Sequence, residues 1–131
     1  MILHFKITGI LLIILSFSHI VFPRYFKWKE ELKPLSLINR QIMIIHTFFI
    51  ALLVFLLGLL CLTSATELID TSFGKKISLG IGIFWFIRLI FQFFGYSAEL
   101  WKGKRFETVV HILFSLFFGY MSVIFIMAYF M

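Results

Sequence analysis

Charged residues, proline and cysteine are all scarce in this sequence, and each scarcity excludes a class of protein. Only 14% of the 131 residues are charged, with two prolines and one cysteine. Disordered and collagen-like chains contain far more charge or proline than this, and the single Cys61 cannot form an internal disulfide. No nucleophile triad or phosphate-binding loop is visible, so no residue is assigned a catalytic role.

Apolar residues dominate instead. They make up 62% of the chain, which has 19 phenylalanines and a mean hydropathy of +1.07, whereas soluble domains are about 45–50% apolar. This composition predicts an integral membrane protein surrounded by lipid. The abundance of Phe, Ile and Lys is also typical of an AT-rich bacterial genome. If the source is bacterial, the membrane is the inner membrane.

Four apolar segments are long enough to cross the bilayer: residues 2–22, 41–63, 77–96 and 108–130. A spanning helix needs about 20 residues to cross roughly 30 Å of hydrocarbon. The apolar runs are continuous rather than alternating, which favours helices over strands. Because the connections are short, consecutive helices are antiparallel neighbours. The sequence therefore predicts an all-α fold, a single up-down four-helix transmembrane bundle over residues 1–131.

Lysine and arginine are unevenly distributed between the two ends of the predicted helices. The first and third connections, residues 23–40 and 97–107, carry eight of them, and the opposite side carries three. The positive-inside rule predicts that both connections are cytoplasmic and that both termini are outside. A cleavable signal peptide ending near Ser18 is disfavoured, because its removal would place the first connection outside. The net charge of +6 follows from this topology and from anionic inner-leaflet lipid, without a nucleic-acid partner.

The first connection mixes charged and aromatic side chains. Its residues 23–34 predict a short amphipathic segment in the membrane interface, which Pro34 ends. Ser36 is then the expected N-cap of a second helix that begins near Leu37. The aromatic residues that flank the first and third connections are expected to be interfacial anchors. They are Tyr25, Trp28, Tyr96 and Trp101.

Three histidines, a glutamine and an arginine lie well inside the predicted spans, whereas His4 and Lys6 lie at the outer fringe of the first span. With a rise of about 1.5 Å per residue, His19 and Gln92 lie about 6 Å inside the cytoplasmic ends of their helices. His46 and His111 lie about 9 Å inside, and Arg88 lies deeper, at about 12 Å. The histidines and the glutamine therefore share one layer. Ionisable residues at such depths are candidates for function.

Small residues indicate the internal face of each helix, because close helix packing in lipid favours them. Each span contains one stripe at helical spacing that includes or adjoins a polar side chain. The stripes are Gly9, Ser16 and His19; Thr47, Ala51 and Gly58, with His46 beside them; Ile81, Trp85, Arg88, Gln92 and Gly95; and His111, Ser115, Gly119 and Ser122. These patterns predict that the polar layer faces a shared core.

The second and fourth helices begin with the same pattern, Arg-x5-His-x2-Phe. It pairs Arg40 with His46, and Arg105 with His111. The repeat is weak support for a duplicated helical hairpin. In an up-down bundle it would place the two histidines diagonally opposite each other at matched depth.

Two opposed histidines are the axial ligands that a b-type haem requires. The first functional hypothesis is therefore a redox or electron-transfer protein with haem on His46 and His111. Its variant is a transition metal on those two histidines and His19. Glu107, one turn before His111, is a candidate to accept a hydrogen bond from that ring and orient it.

Arg88 supports a second hypothesis. No Asp or Glu lies in any span, so the guanidinium needs other partners. Stacking on Trp85, bonding to Gln92 or binding an anionic ligand would each serve. The protein is then a binder or carrier of an anionic lipid or a quinone-like amphiphile, anchored by Arg88, Gln92 and Trp85.

A third hypothesis has no small-molecule site. A small membrane protein with few residues outside the bilayer is suited to be an accessory or assembly subunit of a larger complex. Its histidines then hydrogen-bond to neighbouring helices and have only a structural role. The three hypotheses predict different contents of the purified protein: haem or metal, a colourless lipid or quinone, or a protein subunit.

Overall fold

The computed structural model describes all 131 residues, of which 86% are helical, and it contains no β-strand. Its helices are α1 (Ile2–Tyr25), α2 (Trp28–Glu31), α3 (Leu37–Thr63), α4 (Ala65–Asp70), α5 (Ser72–Phe94) and α6 (Arg105–Phe130), with a 3-10 turn at Ala98–Leu100. Four of them, α1, α3, α5 and α6, are each long and apolar enough to span a membrane. The predicted all-α membrane fold with four spans is confirmed.

Helix α1 ends later than the sequence predicts. The predicted span stops at Phe22, yet the helix continues through Pro23 to Tyr25. Proline has the φ angle of a helix but no N–H, so it cannot donate to the carbonyl of His19, four residues earlier. The following residues still form helical hydrogen bonds, such as the one from Phe26 N–H to the Phe22 carbonyl at 2.9 Å. The helix therefore continues past the proline.

Helix α3 begins where the sequence predicts, at Leu37. Ser36 is its N-cap, and the Ser36 Oγ accepts a hydrogen bond from Asn39 N–H at 3.5 Å. Upstream, the predicted amphipathic segment contains the four residues of α2. Lys27 precedes α2 in a left-handed conformation with a φ angle of 54°. The chain therefore enters α2 through a turn that is strained for a lysine.

Helix α5 begins earlier than predicted, at Ser72 rather than at residue 77. Thr71 caps it, since the Thr71 Oγ1 accepts from Gly74 N–H at 2.9 Å and donates to the Glu67 carbonyl at 2.6 Å. A Cβ atom at Gly74 would lie 1.9 Å from that carbonyl oxygen, so only glycine fits there. The apolar pattern missed the first turn of α5 because lysines follow the glycine.

The chain divides into two compact units. Residues 3–65 contain α1, α2 and α3, and we call them the N-terminal hairpin. Residues 66–131, together with the first two residues, contain most of α4 with α5 and α6, and we call them the C-terminal hairpin. Within each hairpin, two spanning helices are joined by one of the two lysine- and arginine-rich connections.

The long helices of the N-terminal hairpin meet at two glycines. A Cβ atom on Gly9 would lie 2.8 Å from the Gly58 carbonyl oxygen, and one on Gly58 would lie 2.8 Å from the Gly9 carbonyl oxygen. Larger residues would push the backbones apart, so the predicted use of small residues at this helix contact is confirmed. Nearby, the Lys6 ammonium donates to the carbonyl of Leu62.

The C-terminal hairpin packs through a glycine and stacked aromatic rings. A Cβ atom on Gly82 would lie 2.7 Å from a side-chain carbon of Ile126. One turn further along α5, the Trp85 ring stacks on the Phe118 ring, with centroids 5.4 Å apart and planes at 16°. Both aromatic side chains are buried. They form the aromatic centre of this hairpin.

Candidate functional site

Three polar side chains of the C-terminal hairpin form a continuous chain of hydrogen bonds. Arg88 Nη1 donates to Gln92 Oε1 at 3.5 Å, and Gln92 Nε2 lies 3.2 Å from His111 Nδ1. Arg88 and Gln92 are one helical turn apart on α5, whereas His111 lies on α6. Gln92 is only 7% exposed. The structure thus brings together three of the residues that the sequence selects, and we call them the Arg88 chain.

Arg88 fixes the proton positions along this chain. A guanidinium only donates hydrogen bonds, so the amide oxygen of Gln92 faces Arg88 and the amide NH₂ group faces His111. The amide therefore donates to His111 Nδ1, and the neutral imidazole carries its proton on Nε2.

Neutral and aromatic groups surround the Arg88 guanidinium. Its Nη2 donates to Tyr96 Oη at 3.4 Å, and its Cζ lies 4.8 Å from the Phe118 ring centroid and 5.5 Å from the Tyr96 ring centroid. Both side chains that accept its hydrogen bonds are neutral, and α5 contains no acidic residue. Cation–π contacts stabilise the charge without neutralising it. The site therefore has the electrostatics to bind an anion.

A cleft of about 370 Å³ opens beside Arg88. Phe91, Gly95 and Tyr96 complete its lining, and the Phe91 side chain is 58% exposed. The cleft thus combines one cation with two aromatic rings and a glycine. A pocket that is mostly apolar with one polar anchor suits a ligand that has a charged head and an apolar body.

Trp101 covers the ring of His111, a contact that the sequence analysis missed. The two rings stack with centroids 4.5 Å apart and planes at 12°. Thr108 Oγ1 donates to the Trp101 carbonyl, which holds the connection against the start of α6. Gly103 makes the turn possible with a φ angle of 76°. A glycine two residues after the tryptophan is the one sequence signal that indicated a turn here, and it does not specify the partner of the ring.

Trp85 and Glu107, the remaining candidates in this hairpin, lie outside the Arg88 cleft. Trp85 is buried against Phe118, and its Nε1 has no hydrogen-bond partner in the chain. Glu107 is half-buried and forms no hydrogen bond with His111, whose Nδ1 instead meets Gln92. The residue that orients the His111 ring in this structure is therefore Gln92.

The two histidines of the N-terminal hairpin occupy different environments. His19 is half-buried, and its Nδ1 lies 2.8 Å from the Leu15 carbonyl oxygen, so this nitrogen carries a hydrogen and donates it. His46 is exposed on α3 and forms no hydrogen bond within the chain. The side of α3 that carries His46 is exposed in the structure.

No three His, Cys, Asp or Glu side chains come close enough together to hold a metal ion. Ligation by one histidine needs a ring nitrogen whose lone pair is free to face the metal. In His111, Nδ1 accepts the amide hydrogen of Gln92 and Nε2 carries the ring proton. A metal at Nε2 would therefore require the other tautomer of His111, in which the N–H on Nδ1 faces the Gln92 amide.

Comparison with protein families, with characterised proteins and with solved structures finds no match to this chain.

Proposed function

We propose that the protein binds an amphiphile with an anionic head at Arg88. The head accepts hydrogen bonds from the guanidinium, and the apolar body lies against Phe91 in the cleft. A carboxylate or a phosphate suits the guanidinium best, and the carbonyl oxygen of a quinone-like ring is a weaker acceptor. The observation that carries the proposal is a cation within a spanning helix whose side-chain partners are neutral and which borders a largely apolar cleft.

The energetics of an intramembrane arginine support this assignment. A lone guanidinium costs about 2.5 kcal/mol or more at the centre of a spanning helix on insertion scales and less toward the end, and Arg88 lies six residues before the end of α5. Its cation–π contacts with Phe118 and Tyr96 contribute about 0.5–1 kcal/mol each. They offset only part of that cost. A charge-assisted hydrogen bond to an anionic head contributes about 1.5–3 kcal/mol more, so the bound form is favoured.

The orientation follows from the distribution of lysine and arginine. With the connections 23–40 and 97–107 in the cytoplasm and both termini outside, the Arg88 chain lies near the cytoplasmic end of the C-terminal hairpin. In a bacterial source, the membrane is the inner membrane. Its anionic leaflet lipids or its quinones are the available amphiphiles.

Ligand binding by the full-length protein tests this proposal. The delipidated protein is titrated in detergent with a long-chain fatty acid, phosphatidylglycerol, phosphatidylcholine or a quinone, and native mass spectrometry counts the bound molecules. We expect an anionic amphiphile to bind and phosphatidylcholine not to bind. Arg88→Gln should weaken binding at one site at least tenfold, whereas Arg105→Gln, which removes an exposed cation of the same hairpin, should not. Equal losses in both variants would contradict a specific site.

A second variant tests the site without removing the arginine. Gln92→Glu keeps the size of the side chain but places a carboxylate beside the guanidinium. The internal ion pair competes with an external anion, so we expect the same loss of binding with unchanged helix content. Undiminished binding of the anionic amphiphile to this variant would count against Arg88 as its anchor.

Haem or a transition metal on His46 and His111, with His19 as the third metal ligand, is the competing proposal. It is tested by an optical spectrum of the oxidised and the dithionite-reduced protein, with metal analysis of the same sample. A haem spectrum that His46→Ala and His111→Ala abolish would replace the amphiphile by a redox function. A colourless, metal-free protein from cells supplied with haem would remove that function.

A second candidate function, as an accessory subunit of a larger membrane complex, is favoured by α3. Only 11% of its most apolar window is buried, and His46 lies exposed there without a partner. A polar ring that faces lipid is costly, whereas a neighbouring subunit would supply a hydrogen bond. Cross-linking from a photoreactive residue at Phe49 in native membranes tests this. One defined subunit, attached in stoichiometric yield, is expected; cross-links to lipid alone would exclude the role.

A further inference from the structure

The N-terminal hairpin contains a groove of about 510 Å³ that is lined only by its own residues. Its polar lining consists of His19, Lys29, Arg40 and Thr47. The rest of its lining is apolar: Ile20, Pro23, Trp28, Leu32, Ile44, Phe48 and Ala51. No carboxylate lines it. The volume lies within the range of about 300–1,000 Å³ that is typical of ligand pockets.

The cations of this groove lack an anionic partner. The Nε atom of Arg40 is buried and has no hydrogen-bond partner in the chain, although buried polar atoms are nearly always paired in folded proteins. His19 uses Nδ1 to donate to the Leu15 carbonyl, and its other ring nitrogen forms no hydrogen bond in the chain. Two cations without an anionic partner therefore line the groove: Arg40, which is half-buried, and Lys29, which is exposed.

The connection is built so that its side chains reach this groove. Lys27 has a left-handed backbone, a conformation that costs a non-glycine residue energy. It directly precedes α2, from which Trp28 and Lys29 line the groove, and Leu32 follows from the next turn. The strained turn at Lys27 thus immediately precedes the cation, Lys29, and the interfacial ring, Trp28, that line the groove.

The apolar part of the groove follows α3 toward the membrane. Arg40, Ile44 and Phe48 are successive positions four residues apart, so they lie along one side of the helix. The cation is at the connection end, and the apolar side chains follow it into the span. A lipid with an anionic head and an acyl chain presents a charge and then an apolar surface in the same order.

We infer that this groove is a binding site for an anionic phospholipid. The phosphate accepts hydrogen bonds from Arg40 and the charge of Lys29, and one acyl chain lies along Ile44 and Phe48. The occupant follows from charge complementarity. A lining with two cations and no acid selects an anion, and its mostly apolar surface selects a ligand with a hydrocarbon chain. The site belongs to the N-terminal hairpin and does not depend on a ligand at Arg88.

Native mass spectrometry of the full-length protein tests the inference. The delipidated protein is titrated with phosphatidylglycerol or phosphatidylcholine, and glycerol phosphate is the probe for a free anion. We expect Arg40→Gln to weaken one phosphatidylglycerol site at least tenfold. Lys33→Gln removes an exposed cation of the same connection that does not line the groove, and it should leave the affinity unchanged. Arg88→Gln should also leave this site intact, which separates it from the function proposed above.

A variant that keeps every charge guards against an effect of folding. Ala51→Phe fills the apolar end of the groove, so it should exclude the acyl chain while helix content stays unchanged. A loss that is equal in Arg40→Gln and Lys33→Gln would overturn the inference, because it would show diffuse attraction to a basic surface. Equal affinity for phosphatidylcholine, or full competition by glycerol phosphate, would overturn it as well, since the ligand would then not be an anionic phospholipid.

Discussion

The N-terminal and C-terminal hairpins have the same plan and differ at the end where their connections lie. Each brings two spanning helices close together at glycine, through Gly9 and Gly58 in one and through Gly82 in the other. Toward the connection, hydrogen-bonded and stacked side chains pack between the helices of the C-terminal hairpin, with Trp101 covering His111, and a cleft of about 370 Å³ opens beside Arg88. The N-terminal hairpin has a groove of about 510 Å³ there, lined in part by its connection. Small residues bring the helices together, and the side chains of the connection determine how the remaining space is lined.

The two connections also turn by different means. Gly103 takes the left-handed region in the C-terminal hairpin, where glycine has no steric penalty, whereas Lys27 does so in the N-terminal hairpin. The glycine turn lies in the connection that covers a histidine, and the lysine turn lies in the one that lines a groove. Strain retained at a turn next to an open groove is typical of a functional position.

Replacing a glycine at the helix contact of the N-terminal hairpin should have the largest effect on stability. Gly58→Leu forces a side chain against the backbone of Gly9, so we expect it to lower the free energy of unfolding by about 2–3 kcal/mol. SDS titration in mixed micelles, followed by circular dichroism, measures this. The matched control is Gly80→Leu, because a Cβ atom at Gly80 has no atom within 4 Å. Equal losses in both variants would show that the glycine contact does not hold the N-terminal hairpin together.

The hydrogen-bonded chain of the C-terminal hairpin should have the next largest effect. Gln92→Leu leaves Arg88 and His111 without their shared partner, and we expect a loss of about 1–2 kcal/mol. In the N-terminal hairpin, Thr47→Val removes only a bond to a backbone carbonyl of its own helix, that of Met43, and should change stability by less than about 0.5 kcal/mol. The same SDS titration compares the two. A loss as large in Thr47→Val would remove the contrast between the hydrogen-bonded chain of one hairpin and the groove lining of the other.

The number and type of helices could be predicted from the sequence because they depend on local properties. Continuous apolar runs specify spans, and Ser36 specifies the start of α3 through a cap that involves residues close in sequence. The start of α5 could not be predicted in this way. It depends on Gly74 packing against the carbonyl of Glu67, and this contact forms only when α4 is folded.

The candidate site could be predicted in part. Helical spacing places Arg88 beside Gln92, and matched depth places Gln92 near His111. The Trp101 stack and the Tyr96 hydrogen bond could not be predicted, because both depend on the path of an irregular connection. The stripe of small residues on α3 also did not predict that His46 is exposed, because His46 lies beside the stripe rather than within it.

Substitutions at the two left-handed positions, Gly103 and Lys27, should change the stability of the protein in opposite directions. Gly103→Ala adds a Cβ atom at a φ angle of 76°, which should destabilise the protein by about 1 kcal/mol. Lys27→Gly relieves strain at 54° and should stabilise it by about 0.5 kcal/mol after the entropic cost of glycine. Thermal unfolding in detergent compares both variants with the wild type. Destabilisation by Lys27→Gly would mean that the lysine side chain, rather than its backbone, maintains the turn.

The N-caps should give effects no larger than those of the two turns, and they distinguish the hairpins once more. Thr71 caps α5 through a 2.9 Å hydrogen bond and also holds the Glu67 carbonyl, whereas Ser36 caps α3 through a single longer bond of 3.5 Å. We therefore expect a loss of about 1 kcal/mol for Thr71→Ala and about 0.5 kcal/mol for Ser36→Ala. Hydrogen exchange at the first turns of α3 and α5 measures each cap locally. Faster exchange at α3 in Ser36→Ala than at α5 in Thr71→Ala would reverse the order. It would then show that the Ser36 cap, next to the groove, stabilises its helix more than the Thr71 cap does.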